Sequence, residues 1–231
     1  MDKLHNINQS APSEVFPKGP IKNITGVILA GGASRRMGSD KALLPILGGR
    51  LIDHVYRRMA ALFSELLIVT NAPELFSDIP CCKVPDLSAV RGSLAGIHSA
   101  LVHASAGKVF VVACDMPFIT APMIWHICSF ADQGDVVMPY SSGGHEPLHA
   151  VYSKSCLPAI EKVLNDGQQR VAAFFDQVSL VKLSAAEISM LDPQEKCFCN
   201  INTPEDYFRL RDKVTDQDFS GFSAEKVQGQ V

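Results

Sequence analysis

No stretch of this 231-residue chain stays apolar for the roughly 20 residues that a helix needs to cross a bilayer; the longest runs, such as Gly26-Val-Ile-Leu-Ala30 and Val109-Phe-Val-Val-Ala-Cys114, are of strand length. No membrane-spanning helix is expected. Positive charge is not in excess either: 21 Lys and Arg stand against 24 Asp and Glu, a net charge of −3, which excludes a generally basic nucleic-acid binder. The first twenty residues lack the continuous apolar segment of a secretory signal and carry several polar residues and prolines, so a cytoplasmic location is expected. The 7 cysteines form no C-x-x-C pair, which leaves neither a disulfide framework nor a thiolate metal site to argue for and reads as ordinary free thiols. What the chain does have is a globular composition, 47% hydrophobic and 19% charged, enough for one buried core.

Both ends read as tails, 1–22 being polar and punctuated by proline and 212–231 rich in Asp, Gln, Ser and Gly, which leaves one domain over 23–211. Between them, short β-branched runs alternate with helical patterns. Strands are expected at 25–30, 66–70, 109–113 and 136–138, with helices at 51–63, 94–104 and 122–130. That alternation predicts an α/β fold, Rossmann-like and three-layered, with a mostly parallel central sheet. The less regular stretch from 148 to 178 is expected to add an antiparallel edge and the second half of the site. In such sheets ligands bind beyond the carboxyl ends of the strands, so the residues that follow each strand are the candidates for chemistry.

The first strand runs into Leu29-Ala-Gly-Gly-Ala-Ser-Arg-Arg-Met-Gly-Ser-Asp-Lys41. Gly31 and Gly32 let the backbone turn sharply and bring N–H groups against an anion, while Arg35, Arg36 and Lys41 supply positive charge beside the same loop. It is a phosphate-binding design, and its spacing fits neither the Walker loop nor G-x-G-x-x-G.

The string LAGG-x-S-x-R-M-G-x-D-K resembles the signature of the molybdenum cofactor guanylyltransferases of the MobA type, a family of nucleotidyltransferases. The likeness continues through Pro85-Asp86, Gly92-Ser-Leu-Ala-Gly-Ile97, Cys114-Asp-Met-Pro117, His145-Glu-Pro-Leu148 and Asn200-Ile-Asn-Thr-Pro204, in order over 24–210. Ser93 departs from the proline usual in that family. The resemblance implies transfer of GMP from GTP to molybdopterin with release of pyrophosphate, with Mg2+ as cofactor. It implies GTP contacts from Leu29, Ala30, Gly31, Gly32, Lys41, Asn71, Asp86 and Asp115, with Arg36, Lys41 and Asp115 as the catalytic set. Asn200 and Asn202 would serve the phosphates and the molybdopterin side. Cofactor-insertion or molybdoenzyme chaperone proteins are the protein partners it suggests, with no nucleic acid and no membrane among them. The nearest alternatives are a CTP-using relative, a sugar-phosphate nucleotidyltransferase and a GTP-binding regulatory module without turnover.

The residues themselves carry part of this. Asp115 follows the strand at 109–113, where a lone carboxylate suits Mg2+, an ion that takes one or two protein carboxylates and completes its shell with phosphate oxygens; capping a helix that begins near Thr120 is the competing role. Asn71 and Asp86 also fall after strand-like runs, where such residues are more often turn formers than ligands. Asn200 and Asn202 lie two apart in an extended stretch, so their amides share a face.

His145-Glu-Pro-Leu-His149 has the letters of the H-E-x-x-H zinc motif. That motif needs a continuous helix, and Pro147 between the histidines together with the alternation of 148–152 excludes one. On a strand the two histidines would be about 13 Å apart, beyond the reach of one zinc ion. No histidine stands out as a general base.

Overall fold

The computed structural model describes residues 19–31 and 41–213. The strands are β1 (Thr25–Leu29), the two short arms of a hairpin β2 (Pro45–Ile46) and β3 (Gly49–Arg50), β4 (Leu66–Val69), β5 (Cys82–Val84), β6 (Lys108–Ala113), β7 (Val136–Ser141), β8 (Gly144–His145), β9 (His149–Ser153) and β10 (Leu180–Leu183). The helices are α1 (Leu51–Leu62), α2 (Ser93–His103), α3 (Ala121–Ser129), α4 (Leu157–Asn165), α5 (Ala185–Leu191) and α6 (Pro204–Lys213). None of the described helices is long and apolar enough to cross a membrane.

The main sheet runs β10-β7-β9-β6-β1-β4-β5, and the short β8 also pairs with β7. β6, β1, β4 and β5 are mutually parallel and β10 is parallel to β7, whereas β9 is antiparallel to both of its neighbours. β1 is buried along its whole length, as strands are when helices cover both faces, which is why it reads as an unbroken apolar run. One layer packs Ile28, Met59, Phe110 and Ile124 under α1, α3 and α5; the other packs Val27, Leu94, Val111 and Ile160 under α2 and α4.

From β1 the chain steps outward to β4 and β5, then crosses back to lay β6 on the other side of β1. The switch point therefore lies between β1 and β6, where a crevice opens in sheets of this kind. Leu29 is in register with both Val69 and Ala113, so β1, β4 and β6 end level with one another. The next residues stay knitted together, Ala30 N–H donating to Val69 O at 2.9 Å and Cys114 N–H to Leu29 O at 3.1 Å.

Two expectations need correction. The antiparallel strand is not at the edge: β9 runs inside the sheet between β6 and β7, and the edge beyond β7 is the parallel β10. β9 is covered on both faces, Val151 packing into one layer while Ala150 and Tyr152 pack into the other. The stretch assigned to the end of the first tail is also partly core. Ile21 is buried, donates its N–H to Leu62 O at 2.6 Å and bridges Phe63, a placement that one isoleucine in a polar context does not signal. Residues 1–18 and 214–231, the rest of the two tail assignments apart from 212–213 at the end of α6, lie outside the described residues.

Candidate active site

A cleft of about 410 Å³ opens at the switch point, lined by Leu29, Ala30 and Gly31 after β1, Val69 from β4, Asp86 after β5, and Ala113, Cys114 and Asp115 after β6. Gly92, Ser93 and Gly96 from the start of α2, Leu148 before β9, Lys41, Asn200 and Asn202 complete it.

Lys41 is the hub. Its Nζ donates to Asn202 Oδ1 at 2.7 Å and lies 3.5 Å from Asp115 Oδ2. Burial pushes the Asp115 carboxyl above the usual carboxylate range, while the Lys41 ammonium pulls it down. A carboxylate held in that balance gains from any further cation that reaches it. Asp115 does not cap the following helix: Thr120 does, accepting from Met123 N–H at 3.4 Å. The backbone of Asp115 instead holds the C-terminal segment, its carbonyl accepting Ile201 N–H at 3.1 Å. Ile201 is buried with Ile46, Leu51 and Leu210 in a small separate cluster, and Tyr207 Oη donates to Pro45 O at 2.6 Å. The residue between the two asparagines is thus an anchor, and Asn200 and Asn202 on either side of it line the cleft.

On the other wall Asp86 and Asn71 are locked together. Asn71 Nδ2 donates to Asp86 Oδ2 at 2.9 Å and Asn71 Oδ1 accepts Asp86 N–H at 3.0 Å. Asp86 lines the cleft and Asn71 does not, so Asn71 acts by fixing the carboxylate. A Cβ on Gly31 would lie 3.8 Å from Asp86 Oδ2, which shows how closely that carboxylate overhangs the β1 loop. Gly32 and Arg36, with Arg35, lie outside the described residues.

Sequence reasoning missed the contribution of α2. Gly92 is its N-cap with φ 142° and ψ 177°, backbone that side-chain-bearing residues avoid, and Ser93 is the first helical residue. Proline is favoured at that position because its missing N–H has no acceptor in the helix, and serine adds an N–H there. The first-turn N–H groups have no acceptor within the helix and border the cleft. A Cβ on Gly96 would come 3.1 Å from Leu29 Cδ2, so this glycine sets the close approach of α2 to the end of β1. A glycine just before a helix and another on its first turn was the available signal.

Among the described residues, those lining the cleft include neither histidine nor glutamate. His145 and His149 share no helix, as Pro147 required; they belong to two strands, β8 and β9, where a single extended stretch was expected. No group of three metal-ligating side chains occurs among the described residues, so any cation here would be completed by phosphate or water.

Residues 26–181 match the MobA-like NTP transferase domain family. The sequence is 40% identical over 187 residues to a protein of Pelotomaculum thermopropionicum named "Probable molybdenum cofactor guanylyltransferase", covering 81% of this chain and 91% of that one. It is 37% identical over 185 residues to the molybdenum cofactor guanylyltransferase of Desulfosudis oleivorans, covering 79% and 92%. Among solved structures, molybdopterin-guanine dinucleotide biosynthesis protein A of Archaeoglobus fulgidus superposes with a TM-score of 0.74 at 28% identity, over 82% of this chain and 97% of the other.

Proposed function

This chain belongs to the MobA-like NTP transferase family, and from that premise we propose that it transfers GMP from GTP to the terminal phosphate of molybdopterin, forming the guanine dinucleotide cofactor and releasing pyrophosphate. The observation that carries the reading is the Lys41, Asp115 and Asn202 cluster where β1 and β6 end.

The attacking group is a phosphate oxygen, ionised at neutral pH, so no general base is needed. The absence of histidine and glutamate from the described cleft lining agrees with that. Catalysis then rests on holding two anions in line and stabilising charge on the leaving group. Lys41 faces the phosphates together with Leu29, Ala30 and Gly31 at the end of β1, and Gly32 and Arg36 are assigned to the same phosphates from the sequence motif. Asn200 and Asn202 orient the molybdopterin phosphate, and Asn71 holds Asp86, whose carboxylate accepts the paired N–H donors of guanine.

NTP transferases of this family typically use a divalent metal, and Mg2+ is our assignment. The donor set fits it: the desolvated Asp115 carboxylate, with the Lys41 ammonium 3.5 Å away, beside a cleft of about 410 Å³. Asp115 would hold the ion, which when bound supplies charge neutralisation at the departing pyrophosphate. The domain limits of 23–211 and a cytoplasmic location belong to the same proposal. Protein partners that accept or deliver the cofactor are part of it too.

Pyrophosphate release in the presence of molybdopterin and each of the common nucleotides tests the reading, with GTP expected to be the substrate. Asp115→Asn keeps the shape and removes the negative ligand, so turnover should fall at least about 100-fold, as for losing several kcal/mol of charge stabilisation. Undiminished Mg2+-dependent turnover in that variant would move the metal elsewhere.

A further inference from the structure

β7 is buried throughout except at Tyr140, which is 46% exposed. Its ring meets the cross-strand His145 edge to face, with centroids 5.1 Å apart and planes at 80°. His145 is braced from behind by the largely buried Phe175, at 6.1 Å and 84°. Three aromatic rings in sequence, Tyr140 and His145 exposed and Phe175 buried, stand at the carboxyl end of β7.

This platform is tied to the cleft on three sides. His145 is three residues ahead of Leu148, which lines the cleft. Phe175 lies in the 3-10 helix Val171–Gln177, which follows closely on Gln169, whose Cβ and carbonyl oxygen would lie 3.8 Å from a Cβ on the cleft residue Gly92. The hairpin turn itself is pinned by Glu195, which accepts Ser142 N–H at 3.0 Å and begins the segment leading to Asn200 and Asn202. The nucleotide half, with Asp86, lies across the cleft on the β4 and β5 side.

We propose that Tyr140, backed by His145 and Phe175, is the stacking surface for the fused heteroaromatic ring of the second substrate, the pterin of molybdopterin. This rests on the function proposed above and deepens it. A pterin is flat and electron-poor, and a ring already braced by its neighbours loses little freedom when it takes up a stacking partner. The alternative role, a cross-strand aromatic pair that merely steadies a short hairpin, affects stability and leaves pterin binding untouched.

The test uses Tyr140→Ala and Tyr140→Phe in the full chain, with three readouts: quenching of a fluorescent pterin probe, 6-hydroxymethylpterin phosphate, KM for molybdopterin, and GTP affinity by calorimetry. Tyr140→Ala is expected to abolish the quenching and raise the KM for molybdopterin roughly tenfold, the scale of one aromatic stack, with GTP affinity within about twofold. Tyr140→Phe should retain both. Unchanged quenching and KM in Tyr140→Ala would overturn the proposal, as would a parallel loss of GTP affinity. An unmodified protein that binds the pterin probe but forms no pyrophosphate from GTP and molybdopterin would instead count against the function, while the quenching series still decides the platform.

Discussion

Single side chains in this protein are decided by what surrounds them more than by type. His149 is the clearest case. It is fully buried, flanked edge-on by Phe110 at 5.4 Å and Phe198 at 5.3 Å, and among the described residues neither ring nitrogen has a hydrogen-bond partner. Burial pushes its pKa down from 6.5 to about 3, with Asp192 pulling weakly the other way. The folded pKa is thus below the unfolded one, so the folded protein binds fewer protons at His149 between those values. Its contribution is fully present above pH 6.5 and is lost as pH falls through that value toward 3, by up to about 1.4 kcal/mol per pH unit. His149→Phe should remove this component. In urea unfolding at pH 7 and pH 5, the variant is expected to gain about 2 kcal/mol on the unmodified protein between the two conditions; identical pH dependence would show that the ring is solvated or paired. His54 and His126, also pushed down by burial, remain in both proteins and cancel from the difference.

At the scale of elements, the site is built by where strands stop and one helix starts. β1, β4 and β6 stop in register, and α2 begins at a glycine whose φ of 142° allows the chain to enter the cleft wall and turn into a helix at once. Gly92→Ala should therefore cost about 1 to 3 kcal/mol through backbone strain. It should also weaken nucleotide binding, because the turn it distorts borders the cleft. Gly107→Ala is the control, since a Cβ there meets nothing within 4 Å, and it should leave both properties within error. Thermal unfolding and calorimetry on the two variants check this; equal behaviour would mean that α2 can begin without the left-handed residue.

For the molecule as a whole, the cleft joins parts that are distant in sequence, so a ligand that fills it should stabilise the entire domain. Lys41 touches Asn202 across 161 residues and Asp115 across 74. GTP with Mg2+ at a hundred times its Kd should add about 2.7 kcal/mol, which for a domain of this size raises the melting temperature by roughly 5 to 10 °C. CTP at the same concentration should give a clearly smaller shift, because it lacks the adjacent N–H donors that Asp86 would accept from guanine. Equal shifts from the two nucleotides in differential scanning calorimetry would remove Asp86 from base selection.

The apolar runs after 24 and 108 and the helical periods between them were enough for the α/β class, the parallel core and the main elements on that side, because a parallel strand covered on both faces has no way to hide its composition. Of the residues singled out in the sequence, Leu29, Ala30, Gly31, Lys41, Asp86, Asp115, Asn200 and Asn202 line the cleft, while 32–40 lie outside the described residues. The sequence could not say that β9 lies inside the sheet, since alternation reports the faces of a strand and not its neighbours. Nor could it reveal that Ile201, an unremarkable residue between two asparagines, anchors them beside Lys41, or that Tyr140 is the one exposed residue of its strand. Lys41 reaches Asn202 across 161 residues, Ile201 packs on Ile46 and Leu51 from the far end of the chain, and β9 finds its place only by pairing with both β6 and β7; only the folded chain brings such partners together.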